Sequence, residues 1–169
     1  MPEDDFWDNK KLSPELFQTT TEKIKNIKQM SVIRELICDN TRLLTSDVCD
    51  FCLDTIDKSN WNELSILCKD LVRKERVKEP LFRNALRKLT KHSQSAVYDI
   101  FEMMYRANNE EFFNMFDEKP HYLFDNKLRT KFIAAYLPSV QEELAELPSD
   151  FESIIAECNY SLKASQNKV

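Results

Sequence analysis

No glycine occurs anywhere in this 169-residue chain. Tight hairpins, phosphate-cradling loops and dinucleotide fingerprints lean on glycine for positive φ or for close backbone approach, so these fall away together, and strand-rich folds with them. An apolar run of the length needed to cross a bilayer, about eighteen residues or more, is also missing. The opening stretch MPEDDFWDNKK is acidic and polar, unlike a secretory signal. Five cysteines, Cys38, Cys49, Cys52, Cys68 and Cys158, are an odd number scattered through helical patterns, which is no disulfide framework. Basic excess is absent too: 24 Lys and Arg against 29 Asp and Glu leave a net charge of −5, which argues against a general nucleic-acid coat while leaving room for a local basic patch. These absences point to a cytoplasmic or nuclear protein with reduced thiols and no membrane partner.

What remains is helical. Ser13 is a good N-cap, Pro14 suits the first helical position, and Leu12 with Phe17 can staple the entry. The stripe Leu16, Thr20, Ile24, Ile27, Met30, Ile33 and Ile37 advances by three or four, and the weak run Thr19 to Thr21 predicts a bent or two-part helix. Thr45 or Ser46 caps a second helix burying Val48, Phe51 or Cys52, and Ile56. Ser59 caps a third, with Trp61, Leu64, Cys68, Leu71 and Val72 inside. A fourth begins near Val77, takes Pro80 in its first turn, and buries Leu81, Phe82, Ala85, Leu86 and Leu89. Ser93 caps a fifth and Asn108, three before Glu111, a sixth. After a loop at Glu118 to Tyr122, Asp125 caps a seventh burying Leu128, Phe132 and Tyr136. The pairs Ser139–Glu142 and Ser149–Glu152 read as capping boxes of two short further helices, each beside a proline that ends the segment before it. The fold class is therefore all-α, about nine helices with no internal repeat.

Nothing in the sequence amounts to an active site. His92 falls at a helix junction and His121 in a loop beside Pro120, without a nucleophile context near either, so both read as surface or capping histidines. Cys49 and Cys52 form a CxxC with neither strand context nor a second ligand pair, and read as small core residues three apart on a helix. The expectation is no catalysis, no metal and no cofactor. The aromatic set Phe101, Tyr105, Phe112, Phe113 and Phe116 reads as core.

Charge segregation is the sharper signal. The second helix carries Asp47, Asp50, Asp54 and Asp57 within one arc of the wheel. From Lys69 to Lys91 nine Lys or Arg stand against three acids. In that run Arg83, Arg87 and Lys91 are spaced four apart on one exposed strip, with Arg73 nearby. From Phe132 to Leu162 there are six acids and no Lys or Arg. Opposite-signed patches favour oriented head-to-tail contacts with copies of the same chain or with a similarly polarised partner.

The stretch FRNALRKLTKHSQSAVYDIFEMMYRANNEEFFNMF, Phe82 to Phe116, resembles the fourth to sixth helices of the caspase recruitment domain, a death-fold module. The resemblance covers roughly Ser13 to Asp117, and departs where the family often has a glycine-proline pair before its fifth helix and this chain has His92, Ser93 and Gln94. It implies a six-helix antiparallel death-fold-like bundle over 13–118, preceded by an acidic tail over 1–12. Two or three additional C-terminal helices follow over 123–162, as an extension or the start of a second such unit, and a frayed end over 163–169. The tandem arrangement of the RNA-sensing helicases is the precedent for a second unit beginning in LRTKFIAAYLPSVQEELAELPSDFESIIAEC. It also implies a non-enzymatic homotypic adaptor in apoptotic, innate-immune or RNA-surveillance signalling. Its partner is a protein with a similar helical domain, or another copy of itself. Arg83, Arg87 and Lys91 fall on the family's basic surface and Asp50, Asp54 and Asp57 on its acidic one. Two other readings stand beside it: an apoptosis-regulator-type bundle taking a partner helix in a groove, and a helical RNA-binding domain using 69–91.

Overall fold

The computed structural model describes residues 11–40, 44–107, 109–144, 146–154 and 156, and every described element is helical. Residues 1–10 of the acidic tail, the Asn108 cap, Cys158 and the frayed end expected over 163–169 lie outside these residues. The chain packs as two compact units, one ending at Met103 and the other beginning at Met104. This division falls inside a helix, whereas the sequence reading places its boundary after residue 118.

The first unit begins with α1 (Pro14–Lys25) and α2 (Met30–Asn40). Ser13 Oγ accepts from the Leu16 amide at 3.4 Å, and Pro14 occupies the first helical position, where its missing N–H costs nothing. Thr19, Thr20 and Thr21 stay helical, each hydroxyl donating to a carbonyl three or four residues back. The break comes a turn later, where the Asn26 and Ile27 amides bond three residues back and tighten the chain out of the helix. The expected stripe is rotated at its start: Leu16 is 53% exposed. Phe17 takes the inward role, its ring edge-on to Phe51 at 6.3 Å, above buried Thr21 and Ile24.

α3 (Ser46–Ser59) buries Val48, Cys49, Cys52, Leu53 and Ile56. The predicted cap at Ser59 is corrected, because α3 runs through that residue. Its end is set by Asn60, which leaves helical geometry at φ −156° and returns its amide to Ile56. α4 (Asn62–Arg73) then starts at once, with Trp61 half-buried at the turn rather than on the inner face. Arg34 fastens α2 to α4, its Nε to Glu63 at 2.6 Å and its Nη1 to Asp70 at 2.9 Å.

α4 closes on a motif that normally asks for glycine. The Arg76 amide donates to the Leu71 carbonyl at 2.9 Å and the Glu75 amide to Val72 at 3.1 Å, which is the Schellman pattern with Glu75 at the left-handed position, φ 57°. Arg76 then pins the loop by donating to the Cys38 carbonyl and pairing with Glu79. α5 (Pro80–Thr90) has Pro80 at its first position and buries Leu81, Phe82, Ala85, Leu86 and Leu89. Ser93 Oγ caps α6 (Gln94–Ala107) by accepting from the Ala96 amide at 3.2 Å.

The second unit is an aromatic core. It holds the end of α6, α7 (Asn109–Asn114), 3-10 turns at Met115–Glu118 and Pro120–Leu123, α8 (Asn126–Glu143) and a helical turn over 151–154. Phe112, Phe116, Phe132 and Phe151 are almost wholly buried. Tyr105 lies 5.3 Å from Phe112 and 5.0 Å from Tyr136, and Phe116 5.8 Å from Phe132, all in tilted, edge-on or stacked arrangements. Asp125 caps α8 through the Leu128 amide at 2.9 Å.

The Ser139–Glu142 capping box is corrected, since α8 continues through Pro138 to Glu143. Phe132, Ile133, Tyr136 and Val140 keep one buried face across the proline, and Ser139 Oγ is used instead by the Tyr105 hydroxyl at 2.9 Å. Packing overrides the local stop signal.

Candidate functional site

The two charge stripes meet. α3 and α5 pack against each other, and the space between their outer edges is an open groove of about 380 Å³ lined by Asp50, Asp54, Asn84, Arg87, Lys88 and Lys91. Asp50 and Asp54 stand one turn apart on α3. On α5 the lining residues fall at i, i+3, i+4 and i+7, one face of the helix. Lys88 Nζ reaches across to donate to Asp54 Oδ1, and Arg87 donates weakly to Asn84 Oδ1 at 3.4 Å. Asp50, Arg87 and Lys91 are exposed and enter no ion pair among the described residues. Desolvation by the groove wall, then repulsion from Asp54, holds the Asp50 carboxyl above the ordinary aspartate value, with Lys88 opposing.

The other expected site residues do not line this groove. Asp47 Oδ2 accepts from the Leu12 amide at 3.1 Å and its Oδ1 from Val48 at 2.9 Å, fastening the chain ahead of α1 to the start of α3. Asp57 pairs with His92, whose ring stacks on Trp61 with centroids 5.3 Å apart and planes 2° from parallel. That contact joins the α3–α4 turn to the α5–α6 turn. Arg73 pairs with Asp70 at 3.0 Å on its own helix, and Arg83 donates to the Lys78 carbonyl at 2.9 Å. Lys88 and Asn84 were missed because a spacing of four alone selects 83, 87 and 91. The i, i+3, i+4, i+7 rule selects 84, 87, 88 and 91 instead.

A second polar constellation lies in the other unit. His121, expected at the surface, is fully buried, with Nε2 2.8 Å from Asp150 Oδ2 and its ring 5.0 Å from Phe151. Its Nδ1 has no hydrogen-bond partner among the described residues. Burial lowers the imidazole pKa, Arg129 and Lys119 push the same way, and Asp150 only partly offsets them, so the ring is held neutral. Burial pushes Asp150 up, but hydrogen bonds from Tyr122 and His121 outweigh it and leave the carboxyl below its usual range. The His121 neighbours Pro120 and Phe124 are buried with it, whereas Tyr122 is exposed, so the local sequence carried only a weak signal of burial.

Cys49 and Cys52 are fully buried on the inner face of α3, and desolvation pushes the Cys52 thiol to about 12, far from a reactive thiolate. Among the described residues no group of three or more His, Cys, Asp or Glu could hold a metal ion, and no helix is long and apolar enough to cross a membrane. No protein-family model, curated protein or solved structure matches this chain.

Proposed function

We propose that this chain is a non-enzymatic interaction module of death-fold type. It recognises a protein partner that carries a similar helical domain, through the charged walls of the α3–α5 groove. The observation that carries this reading is the meeting of Asp50 and Asp54 with Arg87 and Lys91 along one open groove, with charge left over on both walls after Lys88 has paired with Asp54. Exposed pairs contribute little one at a time, so recognition here works through several at once and through steering of the encounter. The resemblance of Phe82–Phe116 to the caspase recruitment domain supports signalling in apoptosis, innate immunity or RNA surveillance as the setting, with a cytoplasmic location.

The acidic and basic surfaces lie beside each other on this chain, so the partner must present both signs to a single face. The test is capture of proteins by the immobilised chain, repeated with Arg87→Glu. Partners retained at low salt and lost with the variant support the reading, and retention indifferent to both salt and Arg87 contradicts it.

A further inference from the structure

A groove whose walls carry opposite signs side by side is complementary to itself under one symmetry operation. A two-fold axis running along the groove places the acidic wall of one copy over the basic wall of another, and does so twice. An axis running across the groove instead sets acid over acid and base over base. Head-to-tail growth needs the two signs on separate faces, so that one remains open after the other is covered; here a single contact covers both.

We propose that the groove is occupied by a second copy of this chain in a closed isologous dimer, in which Asp50 of each copy meets Arg87 of the other. The inference rests on the charge-mediated reading above and names its partner. Within one copy Asp54 and Lys88 already satisfy each other, whereas Asp50, Arg87 and Lys91 remain exposed and enter no ion pair among the described residues. Asp50 sits on the opposite wall from Arg87 and within about a turn of its level, as the Lys88–Asp54 and His92–Asp57 pairs show, and that is the arrangement the along-groove axis pairs off. Desolvation and Asp54 raise the Asp50 carboxyl in the single copy, and an arriving cation relieves that strain. Because the symmetry repeats every contact, each weak pair counts twice.

The experiment is sedimentation velocity of the 169-residue chain over rising concentration at low and high salt. The expected result is a monomer that saturates at twice the 20.0 kDa chain mass and dissociates as salt rises. Arg87→Glu and Asp50→Lys should each weaken the dimer by at least about tenfold, since each reversal acts twice. Mixing the two variants in equal amounts should restore a heterodimer, because the reversed charges then face each other. The doubly reversed variant should regain the homodimer. Far-UV circular dichroism of each variant at the same concentrations separates loss of contact from loss of fold.

A chain that stays monomeric at every concentration, assemblies that grow past two, or single variants that dimerise like wild type each overturn the proposal. If the monomeric chain nevertheless captures a different protein through Arg87, the dimer alone is lost and the charged-groove function stands. If capture also ignores Arg87, both fall.

Discussion

Lys88 on α5 donates to Asp54 on α3 across the groove, with side-chain exposures of 24% and 54%. This pair bridges the two helices at one level and leaves the charges a turn away on either wall available. Exposed pairs are worth little, so a double-mutant cycle with Lys88→Met and Asp54→Asn should give a coupling below about 1 kcal/mol in urea melts. A coupling several times larger would make the groove a structural clamp rather than a contact surface.

The absence of glycine has a local cost at Glu75, which holds φ 57° at the end of α4. Glu75→Gly removes the Cβ clash of the left-handed conformation while keeping the Arg76 and Glu75 amide bonds. It should raise stability by about 0.5–1 kcal/mol, read as a higher urea midpoint with an unchanged slope.

Pro138 stands inside α8, so the Ala134 carbonyl lacks the amide that would complete its turn. Pro138 is itself exposed, so Pro138→Ala leaves the buried face of Phe132, Tyr136 and Val140 in place. Stabilisation of about 1–3 kcal/mol is the expected outcome in the same assay. No change would mean that the helix is bent at 138 in a way alanine does not relieve.

His121 gives a pH dependence whose sign is fixed by its environment. Desolvation, Arg129 and Lys119 lower its folded pKa below the unfolded value of about 6.5, against the pull of Asp150. The unfolded chain therefore takes up a proton first as pH falls. Stability contributed by the neutral ring is fully present above about pH 6.5 and is lost as pH drops toward the folded pKa. Asp150, lowered below its own ordinary value, adds a loss only at more acidic pH. The difference in melting temperature between wild type and His121→Gln should thus vary between pH 7.5 and 5.5, with wild type losing more. Parallel profiles would remove His121 as the source.

Much of the architecture was legible in the sequence, because caps and apolar spacing act locally. Ser13, Ser93 and Asp125 each cap the helix their position announced, and Pro80 sits at the first position of α5. Failures came where tertiary contacts overrode a local signal. Ser139 looks like a cap until Tyr105 claims its hydroxyl, and Ser59 looks like a cap until Asn60 supplies the stop. The site was half legible. Spacing identified the charges of α3 and α5, but no periodicity states which helix packs beside which, so two surfaces expected apart lie along one groove. His121 was hidden for the same reason, since its partner is 29 residues away.

The central claim is that the α3–α5 groove recognises its partner through charge. The most direct measurement is quantitative retention of partner protein by the immobilised 169-residue chain and by Arg87→Glu, each at low and high salt, about 0.05 and 0.5 M. The account predicts retention by wild type at low salt that falls steeply at high salt and is lost with Arg87→Glu while the helical spectrum is unchanged. Equal retention by both proteins at both salt concentrations would contradict it.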